Sequence, residues 1–127
     1  MGSLYRIDSN QNVDTTFQLD TAALGSQTII QAAVTLPSGK IAAMAHRAAF
    51  ENRNWNSYFR LLRLHANGQL DTSFHVTELD EIIDQIHQLQ VLDDGRIAAL
   101  LEWDYYQWPS HYKWLYLYHP DGRIDTS

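Results

Sequence analysis

Apolar residues in this chain fall into short runs separated by small polar turns. From Thr28 the stretch TIIQAAVTL is almost continuously apolar; Ser38-Gly39 interrupts it, and KIAAMAHRAAF follows as a second run. YFRLLRLHA forms a third, and Asn67-Gly68 then leads into the short QLDTSF. Runs of this length, rich in β-branched and aromatic residues and bounded by Gly, Asn and Asp, predict strands. Asn-Gly and Asp-Gly suit tight hairpin turns because such turns need positive φ, which glycine adopts without strain. The same order returns downstream as IHQLQVL, Asp94-Gly95, RIAALLEW, YKWLYLYH and Asp121-Gly122.

The recurrence has a fixed phase. Asp14, Asp71 and Asp125, each following a turn, are spaced by 57 and 54 residues. A second landmark, LPSGKIAAM from Leu36 and LDDGRIAAL from Leu92, repeats at 56. Two unrelated landmarks at one period point to an internal duplication. The expected units are 1–17 as a closing strand of a preceding or partner blade, 18–74 as unit one and 75–127 as unit two. One segment reads differently: in ELDEIIDQIHQL, Leu79, Ile82, Ile83, Ile86 and Leu89 recur at helical spacing. Its counterpart ALGSQTIIQAAV carries a Gly-Ser turn and β-branched residues. Repeats share structure, so a strand from about Ile86 is expected, with at most one helical turn before it.

An apolar strand, a glycine turn, a basic residue with Ile and small aliphatics, and then RLHANGQLDTSF, all within nearly sixty residues, resemble the delta-60 repeat family of bacterial β-propellers. The resemblance implies one four-stranded blade per repeat, with blades ringing a central channel. AHRAAF and LEWDYY stand where that family usually has a glycine pair, so these strands are expected to end differently and to carry bulkier loops. The fold expected is all-β: two antiparallel propeller-like blades and one extra N-terminal closing strand. Rings of this kind use about 4–8 blades, and two do not make one. A repeat buries its apolar face only against a neighbour. The chain therefore assembles with copies of itself into a ring, packs its two sheets together, or is a piece of a longer propeller; self-assembly is the expectation.

Composition narrows the partners. Nine basic residues against fifteen acidic ones leave a net charge of −6, which opposes nucleic acid and anionic membranes. The absence of cysteine excludes disulfides and thiolate chemistry. No signal peptide or membrane-spanning run is visible, so a cytoplasmic location is the default expectation.

The candidate binding residues lie in the loops between the second and third strands. In unit two, WDYYQWPSHYKW gathers Tyr105, Tyr106, Trp108 and His111. Tyr and Trp interleaved with polar residues suit a binding surface because they offer contact area with few rotors. Trp103 and Trp114 are expected to pack at strand ends. In unit one Asn52, Arg53, Asn54 and Trp55 occupy the equivalent loop. Gly39, Gly68, Gly95 and Gly122 read as turn residues, and Asp71 and Asp125 as side-chain caps on the turns. His65 and His119 recur just before the turn, which suggests a hydrogen bond across it. No metal or cofactor is expected, because the histidines are scattered and the Asp-Gly turns lack calcium-loop spacing. The function expected is non-enzymatic binding of a protein partner, with an acidic immunity-type inhibitor of a basic toxin and a glycan-binding lectin as alternatives.

Overall fold

The computed structural model describes residues 4–25, 27–51, 53–79, 85–104 and 111–126. Strands β1 (Thr28–Thr35), β2 (Ile41–Glu51), β3 (Asn54–Leu64) and β4 (Glu78–Leu79) form one antiparallel sheet in that order. Strands β5 (Gln85–Val91), β6 (Ile97–Asp104) and β7 (His111–Tyr118) form a second. A single helical turn, α1 (Thr21–Leu24), precedes β1; the Asp20 side chain caps it by accepting from Ala23 N at 3.2 Å. The first sheet takes its fourth strand from residues beyond position 74, so one unit's sheet is completed by chain that has already entered the next.

The duplication extends to irregularities. The β1–β2 ladder shifts register between Ile30 and Ala32, and the β5–β6 ladder shifts at the equivalent place, between Ile86 and Gln88. Such a bulge inserts one residue and changes which side chains share a face. Ile86 and Leu89, three apart, consequently both pack in the same core as Leu79. This accounts for the helical periodicity of ELDEIIDQIHQL. Its anchor residues belong to β4 of one sheet and to a bulged β5 of the other; Ile82 and Ile83 lie outside the described residues.

Alternation along β2 and β3 gives the first sheet two apolar faces. Ala42, Met44, Phe59 and Leu61, all essentially inaccessible, pack against Ile97, Ala99, Leu101 and Tyr118 of the second sheet. On the opposite face, Ala43, Ala45, Leu62 and Leu64 are covered by Phe17, Leu19 and Leu24 from the N-terminal segment. Burying a large aliphatic or aromatic side chain contributes about 1.5–3 kcal/mol, so both coverings are substantial.

Three copies of one turn mark the ends of the repeats, each closed by one bridge: Ile7 with Val13, Leu64 with Leu70, Tyr118 with Ile124. In all three an amide at the left-handed position donates back three residues: Gln11 to Asp8 O at 3.0 Å, Gly68 to His65 O and Gly122 to His119 O at 2.9 Å. Their φ angles are 67°, 94° and 96°. The residue after each closing Phe, which opens a unit, then donates into the turn that ends the same unit, Gln18 N to Asn67 O and His75 N to Asp121 O, both at 2.8 Å. Each unit is thus clasped end to end through its backbone, while Arg6 to Ala66 O at 2.8 Å and Arg63 to Pro120 O at 3.3 Å reach from one repeat into the next.

Candidate functional site

The two ends of each sheet have different tasks. At the glycine-turn end nearly every polar group is committed to holding the repeat together. Asp71, with only 4% of its side chain exposed, accepts from Lys40 Nζ at 2.8 Å, Arg63 Nε at 2.7 Å and the Ser73 amide and hydroxyl. Burial alone would push this carboxyl up; the hydrogen bonds from Lys40, Ser73 and Arg63 outweigh it and hold it far below the usual carboxylate range. The Arg63 guanidinium also lies 4.9 Å from the Phe74 ring centroid. Arg6, Asp14, Thr16 and Phe17 repeat the arrangement at the N-terminus. There the Thr16 hydroxyl and amide, then Arg6, lower Asp14 to about 2.

In unit two, position 117 is Leu where Arg63 stands in unit one, and Arg96, the counterpart of Lys40, reaches Asp125 at 3.2 Å. The reach of Lys40 and Arg96 to these carboxylates was legible only as a basic residue recurring after the Gly39 and Gly95 turns. His65 and His119 contribute backbone to their turns. The hydrogen bonds across the turn are made by their backbone, His65 N to Gln69 O at 2.8 Å and His119 N to Arg123 O at 2.7 Å, while their rings stand 3.9 and 3.8 Å from Asp71 and Asp125.

The opposite end carries the β2–β3 and β6–β7 hairpin tips. In unit one the loop is tighter than expected: Phe50 pairs with Trp55 and Glu51 with Asn54, so Asn54 and Trp55 belong to β3. Arg53, exposed and at φ 66°, forms the turn. Asn52 lies outside the described residues. In unit two the register ends earlier, with Asp104 opposite His111, which opens β7. Tyr105, Tyr106 and Trp108 lie outside the described residues. Trp114 is 43% exposed and stacks on Tyr116 with centroids 6.4 Å apart. Since the glycine-turn ends of the sheets are tied by Arg63 Nη1 to Pro120 O at 3.3 Å, both tips fall at the other end of the stack.

A groove of about 160 Å³ opens beside the N-terminal segment, lined by Leu4, Tyr5, Phe17, Ala33 and Ile41. Its one charged residue, Arg6, is held by Asp14 and Thr16.

Residues 36–74, from the first glycine turn through the closing Phe, match a family model described as "Domain of unknown function (DUF5122) beta-propeller". The chain carries β-propeller-type repeat structure. The matched span contains Gly39, β2, β3, the Gly68 turn and Asp71, the parts that recur in unit two. No match was found among curated proteins or among solved structures. Among the described residues, no helix is long and apolar enough to cross a membrane.

Proposed function

We propose that this chain is a non-enzymatic binding module of delta-60-type propeller repeats, which engages a protein partner through the hairpin tips of both units and assembles with copies of itself. The observation that supports the reading most is the division of labour along each sheet. The glycine-turn end spends its charged groups on Asp14, Asp71 and Asp125, whereas the tips carry the aromatic and amide residues that the turns do not use. The paired ends of both hairpins lie at one end of the stack, so Arg53 and the ends of β6 and β7 can meet one partner together. Fold alone would not give this function; residue chemistry at the tips carries it.

The net charge of −6 favours a second reading, an acidic inhibitor that covers a basic protein such as a toxin. The test is a calorimetric titration of a purified protein partner with Tyr105→Ala, Tyr106→Ala and Trp108→Ala. Each should lose roughly thirtyfold in affinity, about 2 kcal/mol, with little change in melting temperature. Stability that falls in step with affinity would return these residues to a packing role. Binding that collapses at high salt while tolerating the aromatic substitutions would favour the inhibitor.

A further inference from the structure

The packing of one repeat on the next shows what covers a blade face, and the two outer ends of the stack expose the matching halves of that contact. Inside the chain, Ala42, Met44 and Leu61 of the first sheet share a core with Tyr116, Tyr118 and Ile124 of the second. By the repeat spacing, the first three correspond to Ala98, Leu100 and Leu115 on the outer face of unit two. The second three correspond to Tyr5, Ile7 and Val13. Met44 and Leu61 are 0% and 1% exposed, yet Leu115 is 64% exposed. Tyr5, Ile7 and Val13 are 60%, 56% and 58% exposed, whereas Tyr118 is at 0%. With Phe50, these four are the most exposed large apolar side chains described.

We infer that a second copy of this chain docks head to tail, its Tyr5, Ile7 and Val13 lying on Ala98, Leu100 and Leu115 as unit two lies on unit one. The inference rests on the reading of the chain as a self-assembling module and names the surfaces that would do it.

Two features of unit two fit this occupant. First, its outer face is apolar only near the glycine turn. Further along, Lys113 replaces the buried Phe59 and Glu102 replaces His46, and the two stand opposite each other in register. The turn that carries Tyr5, Ile7 and Val13 matches the apolar part of that face. Second, the joint has lost its polar anchor. Arg6 donates to Ala66 O at 2.8 Å and Arg63 to Pro120 O at 3.3 Å, each reaching from one repeat into the next. The corresponding Leu117 has no donor, which suits an apolar contact between separate chains. A head-to-tail contact is heterologous, so it closes into a ring or extends as a filament according to the rotation per copy.

Sedimentation velocity on the full chain tests it with Leu115→Glu and Ile7→Lys. Both positions are exposed, and matching melting curves would confirm that each variant still folds. The wild type should sediment as an assembly, and each variant alone should dissociate at least tenfold more readily. An equimolar mixture should regain a two-chain species, because one variant keeps an intact head and the other an intact tail. Loss of assembly in Leu115→Glu with none in Ile7→Lys would indicate face-to-face pairing and overturn the head-to-tail geometry. A mixture that stays monomeric would overturn it as well. Assemblies that survive both substitutions would refute these surfaces while leaving self-assembly standing. A wild type that is monomeric at every concentration would remove both.

Discussion

Gly68→Ala probes the clasp between the two ends of unit one through a position where two costs coincide. Gly68 has a φ of +94°, and a Cβ placed there would stand 2.6 Å from the Gln18 carbonyl carbon and 3.1 Å from Leu19 N, with Gln18 O closer still. Those atoms are backbone and cannot swing aside. The left-handed conformation alone costs a residue with a Cβ about 1–2 kcal/mol. Relieving the overlap means withdrawing the Gln18 segment, which breaks Gln18 N to Asn67 O and Asp20 N to Gly68 O. Each such bond is worth about 0.5–1.5 kcal/mol net, so the total reaches about 2–5 kcal/mol, a large share of the roughly 5–15 kcal/mol that holds a domain folded. Gly39 provides the control. Its φ is +85°, yet nothing lies within 4 Å of an added Cβ, so Gly39→Ala carries only the conformational cost. Urea denaturation of the parent and both variants, extrapolated to water, should place Gly68→Ala about 1–3 kcal/mol below Gly39→Ala. Equal losses would refute the contact between the two ends of the unit and leave only the turn conformation.

Gln11 occupies the same left-handed position in the first turn, and Gln11→Gly should raise stability by about 0.5–1 kcal/mol in the same assay, since the substitution removes a strain the other two turns never carry. Asp71→Asn should cost about 1.5–3 kcal/mol, because Lys40 and Arg63, themselves partly exposed, would lose the buried carboxylate they share. The Asp71 pKa is depressed on folding, so its contribution is complete above the unfolded value of about 3.9 and is lost as pH falls below it toward the folded value. Urea denaturation at a series of pH values should therefore show the parent more stable than Asp71→Asn by a full, constant margin above about pH 4, with the margin closing as pH falls; a margin that stays constant down to low pH would refute the role of the ionised carboxylate.

The strands and their turns were legible because they depend on local chemistry: Gly39, Gly68, Gly95 and Gly122 all have φ between 85° and 96°. The third copy was fainter because Gln11 does by strain what glycine does freely. A strand from about Ile86 was expected and β5 runs Gln85–Val91; the competing helical spacing of Leu79, Ile86 and Leu89 arises because a bulge at His87 and the passage between two sheets both mimic a period near 3.6. Neither is visible without the pairing partner. At the candidate site, the unit-one loop was expected to be bulky, yet β2 and β3 stay paired out to Glu51 and Asn54. Where a hairpin stops pairing is set by the partner strand across the sheet, which composition does not report. The ion pairs of Asp71 were hidden for a related reason: Lys40 is 31 residues away in sequence, and only the fold brings it to 2.8 Å.

Amide hydrogen exchange at Gln18 and His75 tests most directly whether each unit is clasped end to end. Both amides open their units and donate to the turn that ends the same unit, to Asn67 O and Asp121 O, at 2.8 Å. Neither lies in a strand, so their protection can come only from that clasp. Both should exchange as slowly as the amide of Ala43 at the centre of the first sheet, because opening them requires the two ends of a unit to part. Exchange at the rate of an exposed turn amide such as that of Asn10, with Ala43 still protected, would contradict the account and leave sheets that fold while the ends of each unit stay loose.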